Sequence, residues 1–119
     1  MAQVPVLTVN AYPTGLDNMQ SQQAVYGKLS FTGSGGYTTG GMPANSFSLV
    51  NPDGSKFYPN TSQPKPFVVY FQPMDTSLVT YQYDVVNDKI FAQTGGAQVA
   101  GAVTLSGNIA FEAHFGKFV

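Results

Sequence analysis

The chain has one imidazole, His114, and it stands two residues from the carboxylate Glu112. On an extended strand, side chains at i and i+2 project from the same face. A carboxylate beside an imidazole then has the geometry of an acid–base pair. A hydrolase built on that pair would also need a nucleophile, and no serine falls in a Gly-x-Ser-x-Gly elbow. The plainer reading of both residues is the polar face of a strand.

Metal chemistry finds less support. With one His and no Cys, ordinary structural zinc is excluded. Asn51, Asp53 and Ser55 have the oxygen ligands of a calcium site, as do Asp84, Asn87 and Asp88. Both groups coincide with turn signals, where these residue types serve backbone conformation. No catalytic residue, no metal and no cofactor is therefore expected. The segment Gly33-Ser34-Gly35-Gly36-Tyr37-Thr38-Thr39-Gly40-Gly41 is the most distinctive local sequence. It lacks the Lys-Ser/Thr pair and following helix of a phosphate-binding loop. It reads as a long loop whose glycines permit positive φ, flexible and able to order against a neighbouring subunit through Tyr37.

The elements that must position these residues are strands. Val25, Leu29 and Phe31 alternate with Lys28 and Ser30, and Val79, Tyr81, Tyr83 and Val85 alternate with Thr80, Gln82 and Asp84. Ile109, Phe111, Ala113 and Phe115 alternate in the same way with Ala110, Glu112 and His114. A period of two marks a half-buried strand. Phe67-Val68-Val69-Tyr70-Phe71 is apolar throughout and reads as a strand covered on both faces. Residues 4–9 and 47–50 are shorter candidates. Asn87-Asp88 occupies the place of a tight hairpin turn, and Asn51-Pro52-Asp53-Gly54 that of a β-turn. Residues 95–107 suit either a short strand near 103–105 or a loop with one helical turn near 97–100. About seven short strands with regular turn signals predict one all-β domain over residues 1–119. Its expected form is an antiparallel sandwich or barrel of Greek-key or jelly-roll type, with a possible N-terminal arm at residues 1–10.

Composition narrows the partners. Only 9% of residues are charged and the net charge is −1. The five lysines are scattered over separate segments and there is no Arg, so a nucleic-acid partner is not expected. No stretch approaches the ~20 apolar residues of a membrane span, and the first residues lack the pattern of a signal peptide. The absence of Cys fits synthesis in a cytoplasm. Nine Phe and seven Tyr, with little charge around them, suit a protein–protein interface. Tyr12, Tyr26, Tyr37 and Tyr58 are the tyrosines expected at the surface.

Three features together resemble small tailed-bacteriophage virion proteins of the capsid decoration, or cement, kind. One is the loop Gly35-Gly36-Tyr37-Thr38-Thr39-Gly40-Gly41 after the first long strand. Another is the Tyr-rich strand Tyr81-Gln82-Tyr83-Asp84 followed by Asn87-Asp88-Lys89-Ile90. The third is the last strand, Phe111-Glu112-Ala113-His114-Phe115-Gly116-Lys117-Phe118-Val119. The Pro-rich stretch at residues 58–66 departs from that pattern and reads as an inserted, capsid-contacting loop.

The resemblance implies a non-enzymatic viral structural protein, made in the host cytoplasm and carried on the virion's capsid surface. Its partners would be the major capsid protein and copies of itself, as a dimer or trimer, with neither nucleic acid nor membrane involved. Val4, Val6, Tyr37, Phe118 and Val119 are the expected assembly contacts. The alternative is a carbohydrate-binding β module of a tail fibre or cell-surface protein, using Tyr37 or Tyr58. A small hydrolase using Glu112 and His114 is the remaining reading.

Overall fold

The alternating runs at residues 25–31 and 109–115 lie in the two strands at the centre of the larger sheet. The computed structural model describes residues 2–11, 15–18, 21–45, 47–59, 65–74, 78–105 and 108–116. Its strands are β1 (Val4–Val9), β2 (Leu16–Asn18), β3 (Gln22–Thr32), β4 (Met42–Pro43), β5 (Leu49–Val50) and β6 (Lys56–Phe57). They continue with β7 (Val68–Pro73), β8 (Thr80–Asp84), β9 (Lys89–Thr94), β10 (Ala97–Gln98) and β11 (Ile109–Gly116). No helix occurs among the described residues. The all-β expectation holds.

The larger, seven-stranded sheet runs β6-β5-β1-β3-β11-β7, and β2 follows β1 along the same edge of β3. The smaller, four-stranded sheet is centred on β9. There β8 pairs along residues 89–93, so β4 and β10 share the opposite edge. All pairings are antiparallel except that of β1 with β5.

The two sheets pack as a sandwich. Leu7, Val9, Val25, Leu29, Ile109, Phe111, Ala113 and Phe115 face inward from the larger sheet. Met42, Tyr81, Tyr83, Ile90 and Ala92 meet them from the smaller one. Each fully buried aliphatic side chain contributes roughly 1.5–3 kcal/mol relative to an exposed one. Phe47 lies between the layers, its ring 4.9 Å from Tyr83, 5.9 Å from Phe111 and 6.2 Å from Phe115, all edge-on. Such aromatic contacts stabilise beyond their area alone. Phe47 itself is outside any strand, with a φ of +55°, so only Leu49 and Val50 of the expected 47–50 strand are extended.

Several expectations are corrected. Residues 4–9 are no arm: β1 is flanked on both sides by β3 and β5. Ahead of it, the buried Gln3 amide donates to Leu105 O at 3.0 Å and accepts from Leu105 N at 2.7 Å. This tie spans a hundred residues and no local pattern announces it. β7 is not covered on both faces but forms an edge of its sheet, with Tyr70 61% exposed. The hairpin between β8 and β9 closes through residues 85–88, because Asp84 pairs with Lys89. Only Asp88 of the expected pair takes a positive φ, at +56°. In the ambiguous segment, Gly95-Gly96 turns the chain from β9 into β10, and residues 99–105 are irregular.

Candidate functional site

The two long central strands carry a side-chain constellation that combines charge, aromatic rings and a depression. Register places Glu112 directly between Tyr26 of β3 and Tyr70 of β7, on the outer face of the larger sheet. His114 follows one step along, and its Nε2 lies 2.5 Å from Glu112 Oε2. The i, i+2 relation therefore brings the pair together as expected. The His114 ring is capped by Phe67 at 6.2 Å and by Tyr70 at 6.3 Å between centroids. Its side chain is only 14% exposed, against 39% for Glu112. The imidazole thus faces the carboxylate, and its evident effect is to orient Glu112.

Beside this row an open groove of about 270 Å³ runs over Ala110, bounded by Tyr26, Tyr70, Gln72, Glu112 and Asn10. Ala110 stands between Gln72 and Lys28 in register, and its small side chain creates the depression. The Tyr26 phenol is held above its ordinary pKa, mainly by burial and then by the negative charges of Glu112 and Asp17.

The oxygen clusters at the turns spend their ligands internally. Asp53 Oδ1 accepts from Ser55 N at 2.9 Å and Ser55 Oγ at 2.6 Å. Asp84 accepts from Val86 N at 3.0 Å, Asn87 N at 3.2 Å and Asn87 Nδ2 at 2.7 Å. These bonds hold both carboxyls below the usual carboxylate range. Tyr83 Oη donates to Asp88 Oδ1 at 2.7 Å, and burial with that bond pushes the phenol strongly upward. Among the described residues, no group of three acidic or histidine side chains could hold a metal ion.

The expected assembly contacts divide. Val4 is 36% exposed and Val6 half-buried, both on a strand inside the sheet. Phe118 and Val119 lie outside the described residues, as do Tyr12 and residues 60–64 of the Pro-rich stretch. Tyr37 is corrected: it is 2% exposed and belongs to the core. Its hydroxyl donates to Gln98 Oε1 at 2.7 Å, its N–H to Val103 O at 2.8 Å, and its carbonyl accepts from Ala102 N at 2.9 Å. Gln98 Oε1 also accepts from Gly40 N at 2.7 Å. The glycine-rich loop is therefore fastened to residues 98–103, and its positive-φ glycines shape a fixed path. Tyr58 is exposed, with Lys56 Nζ 5.9 Å from its ring centre.

Sequence reasoning missed the side of the sandwich where both sheets end. β7 closes the larger sheet and β8 the smaller, and the two edges run together, Phe71 lying 6.3 Å from Tyr81. Lys65, ahead of β7, donates to Val85 O, beyond β8, at 2.9 Å, so the strands run in opposite directions. This rim carries Phe67, Met74, Leu78 and Val86, which are 49%, 61%, 82% and 86% exposed. Phe67 and Val86 lie toward one end of this rim, Met74 and Leu78 toward the other.

No protein family, curated protein or solved structure matches this chain.

Proposed function

We propose that this protein is a structural component of a bacteriophage virion, decorating and stabilising the capsid through protein–protein contacts. The observation that carries the reading is the β7–β8 rim. The outermost strands of the two sheets lie together there, beside exposed apolar side chains. The exposed apolar residues supply contact area for a partner. The low charge of the chain suits such a surface, since interface cores are depleted of charge. Copies bound at repeated positions on a shell would hold by avidity even where each contact is modest. In this reading the partners are the major capsid protein and further copies of this chain, and no chemistry is performed.

Co-sedimentation of the purified protein with assembled heads tests it. The expected result is saturation at a fixed number of copies per shell. The double substitution Leu78→Lys and Val86→Lys, on two highly exposed residues, should lower occupancy while leaving the thermal transition unchanged. Wild-type protein that stays at the top of the gradient would rule the reading out.

A further inference from the structure

We propose that the groove on the outer face of the larger sheet binds a neutral saccharide, a role beyond the assembly contacts proposed above. Adjacent strands lie about 4.8 Å apart. Tyr26 and Tyr70, one strand to either side of Glu112, therefore stand roughly 10 Å apart with a carboxylate between them. The next row, Gln72–Ala110–Lys28, is low at its centre. The resulting space of about 270 Å³ is open to solvent. It sits just below the common range of small-molecule sites, roughly 300–1,000 Å³. That size admits one or two sugar rings.

The lining matches the chemistry of a sugar. A pyranose presents apolar C–H faces and hydroxyls that both donate and accept. Tyrosine rings offer apolar bodies with polar tips. The amides of Asn10 and Gln72 donate and accept, Gln72 Nε2 already donating one bond to Pro73 O at 3.1 Å, and the carboxylate of Glu112 accepts only. A carboxylate has room for about four hydrogen bonds, of which His114 takes one. His114 also fixes the direction of that acceptor, being half-buried against Phe67 and Tyr70. The charged side chain lining the groove is Glu112, with Asp17 acting on Tyr26 from beside it, so anions are disfavoured while a sugar hydroxyl can donate to the carboxylate. This site uses neither Tyr37, which is in the core, nor Tyr58.

The test is an amide-resolved NMR titration of the isolated protein with glucose, galactose, N-acetylglucosamine and their β-linked disaccharides. Saturable shifts are expected at Tyr26, Tyr70, Gln72, Ala110 and Glu112 with at least one of these sugars. Tyr70→Ala and Glu112→Gln should each weaken binding about tenfold or more, and Val86→Lys should leave it unchanged. Both test positions are solvent-accessible, and Glu112→Gln preserves side-chain shape, so each variant's spectrum also reports whether it folds. Absence of saturable shifts with every sugar overturns the proposal. So does a shift map centred elsewhere, or binding that survives both substitutions. None of these outcomes bears on attachment to capsids, which is read in a separate experiment.

Discussion

Gln3 shows how one side chain can join distant parts of the chain. It is 4% exposed and makes paired hydrogen bonds to the backbone N–H and C=O of Leu105, itself buried. Gln3→Ala would leave both backbone groups without that partner, at a cost of about 1–3 kcal/mol for each. Urea unfolding of this variant should show a midpoint well below wild type, whereas an unchanged midpoint would contradict the clamp. Asp84 acts more locally. Its folded carboxyl titrates below the ordinary value because Asn87 donates to it from side chain and backbone. A depressed folded pKa stabilises the fold above the unfolded carboxylate value of about 3.9. That contribution disappears as pH falls through the lowered folded value. Asp53, held by Ser55, behaves the same way. Stability should therefore decline with acidification below about pH 4, and Asp84→Ala should flatten the decline in a series of unfolding curves. An identical pH profile in the variant would refute this role. Neither Gln3 nor Tyr37 was legible in the sequence, because a polar side chain that satisfies buried backbone looks, in one dimension, like a surface residue.

At the scale of elements, β3 and β11 organise the sandwich, and Gly27 is what lets them do so. Gly27 pairs with Phe111 in register and faces Val9 across the other edge of β3. A Cβ at this position would come within 2.1 Å of Thr8 O and 2.7 Å of the Phe111 ring. Gly27→Ala should therefore destabilise by about 1–3 kcal/mol or more, as overpacking of a dense core does. Calorimetry giving a wild-type transition would contradict it. The strands with one wet face were readable: β8, β11 and residues 25–31 of β3 alternate in sequence and in burial, whereas residues 23–25 of β3 are buried in succession. β7 was misread because an apolar run looks the same whether a second layer covers it or its outer residues remain exposed. Partner placement separates the two cases, and sequence period carries no such information. The Glu112–His114 pair was legible from its spacing. The tyrosines on either side of it come from other strands, and only register brings them there.

The whole molecule presents two unlike surfaces. The β7–β8 rim ends both sheets and carries exposed apolar side chains beside its strand ends, whereas the outer face of the larger sheet carries a polar groove edged by tyrosines. The rim could not be read from sequence because its residues lie at or just beyond strand ends, on segments that meet only in the folded chain. Its exposed side chains contribute little to stability, since surface substitutions usually stay within about 0.5 kcal/mol. They are therefore open to change without loss of fold, which makes the assembly proposal testable. The most direct measurement is electron cryo-microscopy of heads saturated with this protein. The account predicts additional density at symmetry-related positions, fitted by the β-sandwich with Leu78 and Val86 turned toward the shell or toward a neighbouring copy. Heads without added density, or a bound sandwich whose β7–β8 rim faces solvent, would contradict it.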